Sequence, residues 1–412
     1  MGVNRDMDEG AAKIEWARTH MPVLAEIEQN FRQNKPFDGM TIGMSIHLEA
    51  KTARLALCLM EGGADVAITG SNPLSTQDDV AHALAQMGAH VYAWYGESDE
   101  EHAGNLRRVL EYSPDLLLDD GLDLTATLVQ EFPKLKSKTL AACEETTTGI
   151  NRAKAMEKDG VLPFPIVAVN DARMKHLFDN RYGTGESALA GFLRATNLVV
   201  SSKIFVVAGY GWVGRGIAEK IRGMRGRVVI TEVDPVRALE AVFDGFEVMP
   251  MKEAAKVGDV FLTATGNCGV IGEEHFNLMK DGAILANAGH FDVEVDVRAL
   301  RRMASSRIVR NNIEEFSFSD GKKIYLIAQG RLINLAAGDG HPVEIMDLSF
   351  AVQALALEWC ARSARELPVG LIPVPGKIDQ QIAHIKLQTA GIQIDHLTDE
   401  QESYLSQWRY IN

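Results

Sequence analysis

The sequence predicts an α/β protein: two Rossmann-like, doubly wound parallel-sheet domains joined by two hinges, with a C-terminal tail. Three observations predict it. Short apolar runs alternate with helical patterns along most of the 412 residues, which is how a mostly parallel sheet is written. The turn Gly209-x-Gly211-x-x-Gly214 follows the apolar run Ile204 to Ala208 and opens a helical pattern with Ile217, Ile221 and Met224 on one side. That is the strand–turn–helix setting of a dinucleotide site. The length also suits two or three separate cores.

Composition narrows the class. Hydrophobic residues make up 46% and charged residues 24%, ordinary values for a globular protein. The net charge is −14, with no basic block, which argues against nucleic acid and anionic membrane as partners. No apolar run approaches the roughly 18 residues of a membrane span, and no signal-peptide core opens the chain; a cytoplasmic protein is expected. Cys58, Cys143, Cys268 and Cys360 are scattered without a Cys-x-x-Cys pair. Buried free thiols in a reducing compartment are expected, and no metal site.

Residues 1–40 carry two helical patterns, Gly10 to Ala17 and Met21 to Phe31, interrupted at Pro22. Strands are then predicted at Thr41 to His47, Asp65 to Thr69, His90 to Tyr95, Leu116 to Leu118, Thr139 to Cys143 and Ile166 to Val169. Helices such as Lys51 to Met60, Gln77 to Met87 and Glu100 to Tyr112 lie between them. This is the first part of one domain, residues 1–183. Polar and ionisable residues gather just past its strand ends: His47 and Glu49, Asn72, Asp119 and Asp120, Glu144 and Glu145, Asn170 and Asp171. In an open parallel sheet those ends share one edge, where ligands bind. Helix capping explains any one of them. It does not call for a histidine and pairs of carboxylates together.

Asp171 to Tyr182 reads as one helix with Lys175 and Asp179 at i, i+4. Such a pair is either a solvated surface contact or a lysine in a closed site, where desolvation lowers its pKa enough for base work. Around Gly183 to Gly185 the chain crosses into a second domain, residues 184–341, which holds the glycine turn. Gly209 permits the tight turn, Gly211 lets backbone approach a pyrophosphate at the helix N-terminus, and Gly214 allows close packing. The next strand, Arg227 to Thr231, ends in Glu232, 23 residues after Gly209. A carboxylate there binds a ribose 2′-OH and repels a 2′-phosphate, so the cofactor is NAD.

Further strands are expected at Val260 to Thr263, Ala283 to Asn287 and Ile308 to Val309, and a hairpin across Lys322 to Leu335. The breaks Thr265-Gly-Asn267 and Asn287-Ala-Gly-His290 should face cofactor or substrate. Gly338-Asp-Gly-His-Pro342 is a second crossing, followed by a helix to about Ala364. Residues 342–375 thus return to the substrate domain, and two crossings make a hinge. Residues 376–412 form a tail whose Trp408-Arg-Tyr410 is expected to dock on another subunit.

These residues together resemble the S-adenosyl-L-homocysteine hydrolase family, in its short, archaeal or thermophile-like branch. The resemblance runs over nearly the whole chain. It is carried by Ser75-Thr-Gln-Asp78, Leu118-Asp-Asp-Gly121, Glu144-Glu-Thr-Thr-Thr-Gly149, Val169-Asn-Asp171, Phe178-Asp-Asn180, Gly209 to Gly216, Thr231-Glu-Val-Asp-Pro235, Gly289-His-Phe-Asp-Val293 and Gly340-His-Pro342. It implies a homotetramer of the methyl cycle with tightly held NAD, acting on a small nucleoside thioether. In the family reaction NAD⁺ oxidises the ribose 3′-OH, which acidifies C4′–H. Homocysteine leaves, water adds, and the ketone is reduced back, with no net redox change.

By resemblance Lys175 takes the 3′-OH proton with Asp179 beside it, Glu145 holds the ribose hydroxyls, and Asp120 and His47 are acid/base groups around C4′ and C5′. His290 contacts the ribose or homocysteine end, and His341 gates the entrance at the hinge. Asn180 lies near the nicotinamide, and Thr146, Thr147, Thr148, Glu232, Thr265 and Asn334 join the three glycines as NAD contacts. The chain departs from the family pattern in four places. Thr184 stands where many members have Cys, and Trp212 replaces an Asp inside the glycine turn. The C-terminus is short, so either Arg409 or Tyr410 substitutes at a neighbour's NAD site or the cofactor is held less tightly. The motif His-x-Thr-x-Glu/Gln is here His47-Leu-Glu49-Ala-Lys51. Those two residues read the purine edge in the family. A lysine offers only donors and a carboxylate only acceptors, so the pair accommodates adenine or, with roles exchanged, hypoxanthine. A net NAD-dependent dehydrogenase and a non-catalytic NAD-binding regulator are the competing classes.

Overall fold

Two sheets organise the protein, whose computed structural model describes residues 2–408. The first has seven strands, all parallel: β1 (Thr41–Ser45), β2 (Asp65–Thr69), β3 (His90–Tyr92), β4 (Leu116–Asp119), β5 (Ala141–Glu144), β6 (Pro165–Ala168) and β15 (Gly370–Pro373). Their order is β15-β6-β5-β4-β1-β2-β3. β4, β5 and β6 are buried along their whole length, as strands covered on both faces by helices must be. The order reverses at β1, whose last residue Ser45 pairs with Thr69 on one side and Asp119 on the other. The loops bearing His47 and Asp120 therefore leave the sheet side by side, at a topological switch point.

The second sheet has β7 (Ile204–Ala208), β8 (Arg227–Thr231), β9 (Glu247–Val248), β10 (Val260–Thr263), β11 (Ala283–Asn287), β12 (Ser305–Arg310), β13 (Ile313–Ser317) and β14 (Lys323–Ile327). The order is β12-β13-β14-β11-β10-β7-β8-β9. It is parallel except for the β12–β13–β14 meander at one edge. The glycine turn leaves β7, which lies between β8 and β10.

The return helix Val343–Ser363 is mostly apolar, and every residue from Met346 to Leu357 is buried. A helix of that kind belongs inside a core, and it packs with the first sheet. Ile378 and Ile382 of the following helix, Gly376–Thr389, lie in the same core. Arg409 and Tyr410 fall outside the described residues. No helix among the described residues is long and apolar enough to cross a membrane.

Four expectations are corrected. Pro22 does not interrupt a helix but starts one, Pro22–Asn34, where its missing N–H costs nothing. The hairpin across Lys322 to Leu335 is a pairing of β14 with β13, while residues beyond Ile327 turn into two short helices. Asp171 to Tyr182 is not one helix: a short turn Arg173–His176 is followed by a π-helical turn, Asp179–Gly183, the kind of local widening that functional sites often carry. Cys268 is exposed, unlike the other three cysteines.

Candidate active site

A single cleft of about 970 Å³ lies between the carboxyl ends of the two sheets. Every site residue expected from the sequence lines it except Gly214. Gly214 sits beneath, where an added Cβ would stand 1.9 Å from the Gly209 carbonyl oxygen. Its role is close packing of the turn on its helix.

Lys175 is the centre of the substrate side. It is 3% exposed, and its Nζ lies 3.4 Å from Glu145 Oε1 and 3.4 Å from Asp179 Oδ1. It donates to Asn180 Oδ1 at 2.8 Å, and Asn180 Nδ2 in turn donates to Asn170 Oδ1 at 3.0 Å. The expected lowering of the Lys175 pKa is reversed. Burial does pull it down, but Asp179, Glu145 and Asp120 together more than offset that, so the ammonium is favoured. The proton deficit falls elsewhere. Burial pushes Glu145 up to about 8 against the pull of Lys175. Asp179 resists its own burial because Lys175 and His341 face it, and it stays well below the usual carboxylate range. His341 Nδ1 is 3.2 Å from Asp179 Oδ1.

The second cluster is His47, Asp120 and His290. His47 Nε2 lies 3.5 Å from one oxygen of Asp120, and His290 Nδ1 lies 3.7 Å from the other. Ser75 Oγ is 2.7 Å from His47 Nδ1, and Ser71 Oγ donates to Asp120 at 3.3 Å. Burial lowers the His47 pKa to about 4 although Asp120 opposes it, so the ring is neutral near pH 7. The three residues present one donor atom each within 4.8 Å of one another. No sequence spacing announces this set, because it is drawn from the loops after β1, β4 and β11. His290 crosses from the second sheet because Asn287 folds its loop, donating to the carbonyls of Gly289 and Phe291 at 3.0 and 2.8 Å. Gly121 leaves room for the ring: a Cβ there would be 2.5 Å from His290 Nε2.

Not every polar strand-end residue faces the cleft. Asp119 accepts from the backbone of Leu124 and Thr125 and caps the next helix. Glu144 Oε1 accepts from Gly121 N and Thr146 N at 3.0 and 2.8 Å, tying together the loops of Asp120 and Glu145. Asn72 caps its own turn through Leu74 N, and Asp171 accepts from Asn170.

At the base end of the cleft, Glu49 caps the helix Ala50–Glu61 by accepting from Lys51 N and Thr52 N. Its Oε2 also pairs with Lys51 Nζ at 2.8 Å. Lys51 Nζ further donates to the Asp339 carbonyl at 2.9 Å, across the second crossing.

The dinucleotide side fits NAD. Gly209 has φ +96°, where a Cβ would sit 2.7 Å from Ala264 O, while a Cβ on Gly211 would meet nothing closer than 3.6 Å and would protrude into the cleft. The N-terminus of the helix Trp212–Gly223 opens there, a ready site for a pyrophosphate. Glu232 spans the turn, accepting from Tyr210 N at 2.7 Å and Val233 N at 2.7 Å. Thr146 caps the helix that Thr147 and Thr148 begin. Thr265 is held by Glu294, and Asn334 Oδ1 is buried without a protein partner, an acceptor open to a bound amide.

Sequence reasoning missed Ser349 and Gln353 of the return helix. Ser349 Oγ donates to Asp179 Oδ2 at 2.7 Å, and Gln353 Nε2 donates to Glu145 Oε2 at 2.5 Å. The signal was present as polar residues inside an otherwise apolar helix.

Sequence models of two families match the chain: "S-adenosyl-L-homocysteine hydrolase" over residues 4–133 and "S-adenosyl-L-homocysteine hydrolase, NAD binding domain" over residues 180–340. The chain is 54% identical over 402 residues to an S-inosyl-L-homocysteine hydrolase of Methanopyrus kandleri, covering 97% of this chain and 95% of that one. It is 56% identical over 402 residues to an S-inosyl-L-homocysteine hydrolase of Methanocaldococcus jannaschii, covering 97% of each. It is 55% identical over 402 residues to an adenosylhomocysteinase of Archaeoglobus fulgidus, covering 97% and 99%.

Proposed function

The chain belongs to the S-adenosyl-L-homocysteine hydrolase family, and from that premise we propose that it reversibly hydrolyses S-adenosyl-L-homocysteine to adenosine and L-homocysteine. It is an enzyme with an NAD-binding domain. The observation that carries the reading is Lys175 held between Glu145 and Asp179 at 3.4 Å each, in a cleft shared with the glycine turn. A net dehydrogenase needs no such set in a separate sheet.

Bound NAD supplies reversible two-electron oxidation at the ribose 3′ carbon. The protein's part is proton handling and positioning. Glu145 receives the ribose hydroxyl hydrogens, the 3′-hydroxyl proton among them, on the oxygen that faces the cleft, and the Lys175 ammonium, held by the Asp179 carboxylate, donates to the 3′ oxygen as its proton leaves. Asn180, fixed by Lys175 and Asn170, stands where this side of the cleft meets the cofactor residues. On the other face Asp120, with its two imidazoles, takes the C4′ proton and returns it to the departing thiolate. His47, neutral near pH 7, accepts a proton from the water that adds at C5′. Thr184 and His341 close the site at the hinge, so that these transfers run without bulk water.

The inosyl substrate is a second reading, and one observation favours it. Glu49 accepts from Lys51 N, Thr52 N and Lys51 Nζ, while Thr52 Oγ1 gives its single hydrogen to the His47 carbonyl at 2.6 Å, so one acceptor position stays open on Glu49 Oε1. Lys51 Nζ has one donor left after Glu49 and Asp339 O. That remaining donor suits the O6 acceptor of hypoxanthine, whereas an adenine N6 amine has only the one open position on Glu49 Oε1 to reach.

A homotetramer in the cytoplasm completes the proposal. What supports a subunit contact is a set of exposed apolar residues just after Glu232: Val233, Val236, Leu239 and Phe243 are 98, 68, 56 and 84% exposed, side chains suited to a neighbouring subunit. Light scattering on the purified protein tests the tetramer, with any other mass as the overturning result. For the activity, thiol release is measured from S-adenosyl- and S-inosyl-homocysteine side by side. Thiol without net NADH in solution supports hydrolysis, and the faster substrate identifies what Lys51 reads. Stoichiometric NADH marks a dehydrogenase instead, and no thiol from either substrate with NAD bound leaves only a regulator.

A further inference from the structure

The return helix Val343–Ser363 carries three polar side chains in its buried middle: Asp347, Ser349 and Gln353, each 0% exposed. Its other buried residues in that stretch are almost all apolar. Burying a hydroxyl or an amide is unfavourable unless a partner awaits it. Asp347 has a structural one, since it accepts from Val23 N and Leu24 N at the start of the helix Pro22–Asn34 and pairs with Lys386 at 3.3 Å. Ser349 and Gln353 have partners of another kind. They stand one helical turn apart on one face and reach the two carboxylates that flank Lys175, at 2.7 and 2.5 Å.

We propose that Gln353 is a positioning residue for the proton cycle of Glu145, with Ser349 doing the same for Asp179, so that the helix entered at the second crossing holds both partners of the lysine. The inference rests on the role proposed for Glu145.

The chemistry of an amide explains why glutamine suits this place. Glu145 Oε2 takes the Gln353 N–H, which leaves Oε1 turned toward Lys175 and the cleft, with no hydrogen bond of its own. Gln353 Oε1 is likewise buried without a partner. When Glu145 is protonated on Oε1 its Oε2 still accepts the Gln353 N–H, and when the proton lies on Oε2 an amide turned end for end presents its oxygen to accept that O–H. One neutral side chain thus holds the carboxyl group in either protonation state, as a group that gains and loses a proton within each turnover requires. A lysine or glutamate at 353 serves only one of the two states. The charged groups that act on Glu145 are Lys175, Asp179 and Asp120; Glu144 precedes it in the chain and His341 stands behind Asp179. Gln353 is the partner that the return helix adds.

The test uses holoenzyme with NAD bound. Reduction of the bound cofactor on adding nucleoside is followed across pH for wild type, Gln353→Leu, Gln353→Glu and Leu357→Ala. Gln353→Leu removes a hydrogen bond to the charged form of Glu145, so the limb rising with pH is expected to move up by about one to two units. Gln353→Glu, close in shape and therefore expected to fold, places a second carboxyl against Glu145 and is expected to move the limb further. Leu357→Ala, on the same helix and fully buried, is expected to lower the melting temperature without moving the limb. The proposal is overturned if either folded Gln353 variant keeps the wild-type limb, or if Leu357→Ala moves it as far. Failure of wild type to reduce its cofactor on adding nucleoside sinks the role of Glu145 instead, which keeps the two results apart.

Discussion

Thr184 Oγ1 lies 3.0 Å from His341 Nε2, and the two residues belong to the two separate passages of the chain between its sheets. The other ring nitrogen of His341 faces Asp179 at 3.2 Å. A hinge contact and a site contact therefore share one imidazole. His341→Ala breaks both and leaves Asp179 without that neighbour. We expect thiol release to fall roughly ten- to a hundredfold, equivalent to ~1.4–2.8 kcal/mol of barrier, with bound NAD retained. Steady-state kinetics together with the NAD content of the purified variant check it.

Lys175→Met keeps the length of the side chain and removes its charge. Its two carboxylate neighbours are then buried without their cation. Cofactor reduction is expected to slow by about 10²–10⁴-fold, the usual contribution of a positioned acid/base group. Single-turnover absorbance of the reduced nicotinamide measures it. A variant within threefold of wild type rules Lys175 out of the proton path.

The pH dependence follows from Glu145. Its carboxyl is pushed up to about 8, so it is protonated at lower pH and its ionised form, the one that accepts ribose hydroxyl hydrogens, appears as pH rises. Cofactor reduction should therefore rise with pH and level off above about 8. In Glu145→Gln the remaining rate should lack that rise. His47, lowered to about 4 by burial, stays neutral throughout and should add no limb above about pH 5.

Two glycines outside the dinucleotide turn should tolerate no side chain. Gly121 has φ +103° and faces His290, while a Cβ on Gly216 would lie 1.8 Å from Arg181 O, where the helix Trp212–Gly223 meets the π-helical turn. Gly121→Ala should displace His290 and depress elimination with cofactor reduction largely kept. Gly216→Ala should cost about 1–3 kcal/mol of stability by overpacking, read as a lower melting temperature. Gly272, with nothing within 4 Å of an added Cβ, should accept alanine with neither effect.

Much of this protein was legible from residue order. The parallel strands, the glycine turn with Glu232 at its distance, and the ionisable residues past the strand ends are all local signals, because periodicity and turn chemistry are written over short stretches. β9, β13 and β15 were missed: β9 and β15 are two and four residues long, with glycine and proline in β15, and all three take their strand form from the neighbours they pair with. The run from Asp171 to Tyr182 has helical composition, yet packing splits it into a short turn and a π turn, so the spacing of Lys175 and Asp179 pointed to the right pair on the wrong element.

What residue order left undecided is how the polar groups share out protons and partners. His290 and Asp120 are separated by 170 positions and meet only because two sheets face each other across the cleft. The charge on Lys175 depends on Glu145 and Asp179 arriving together, and the anchoring of those two depends on Ser349 and Gln353 from a helix that returns after the whole second sheet has formed. A side chain's chemistry is local, but its pKa and its hydrogen bonds are set by the distances to groups far along the chain and by the exclusion of water, and these exist only in the folded molecule.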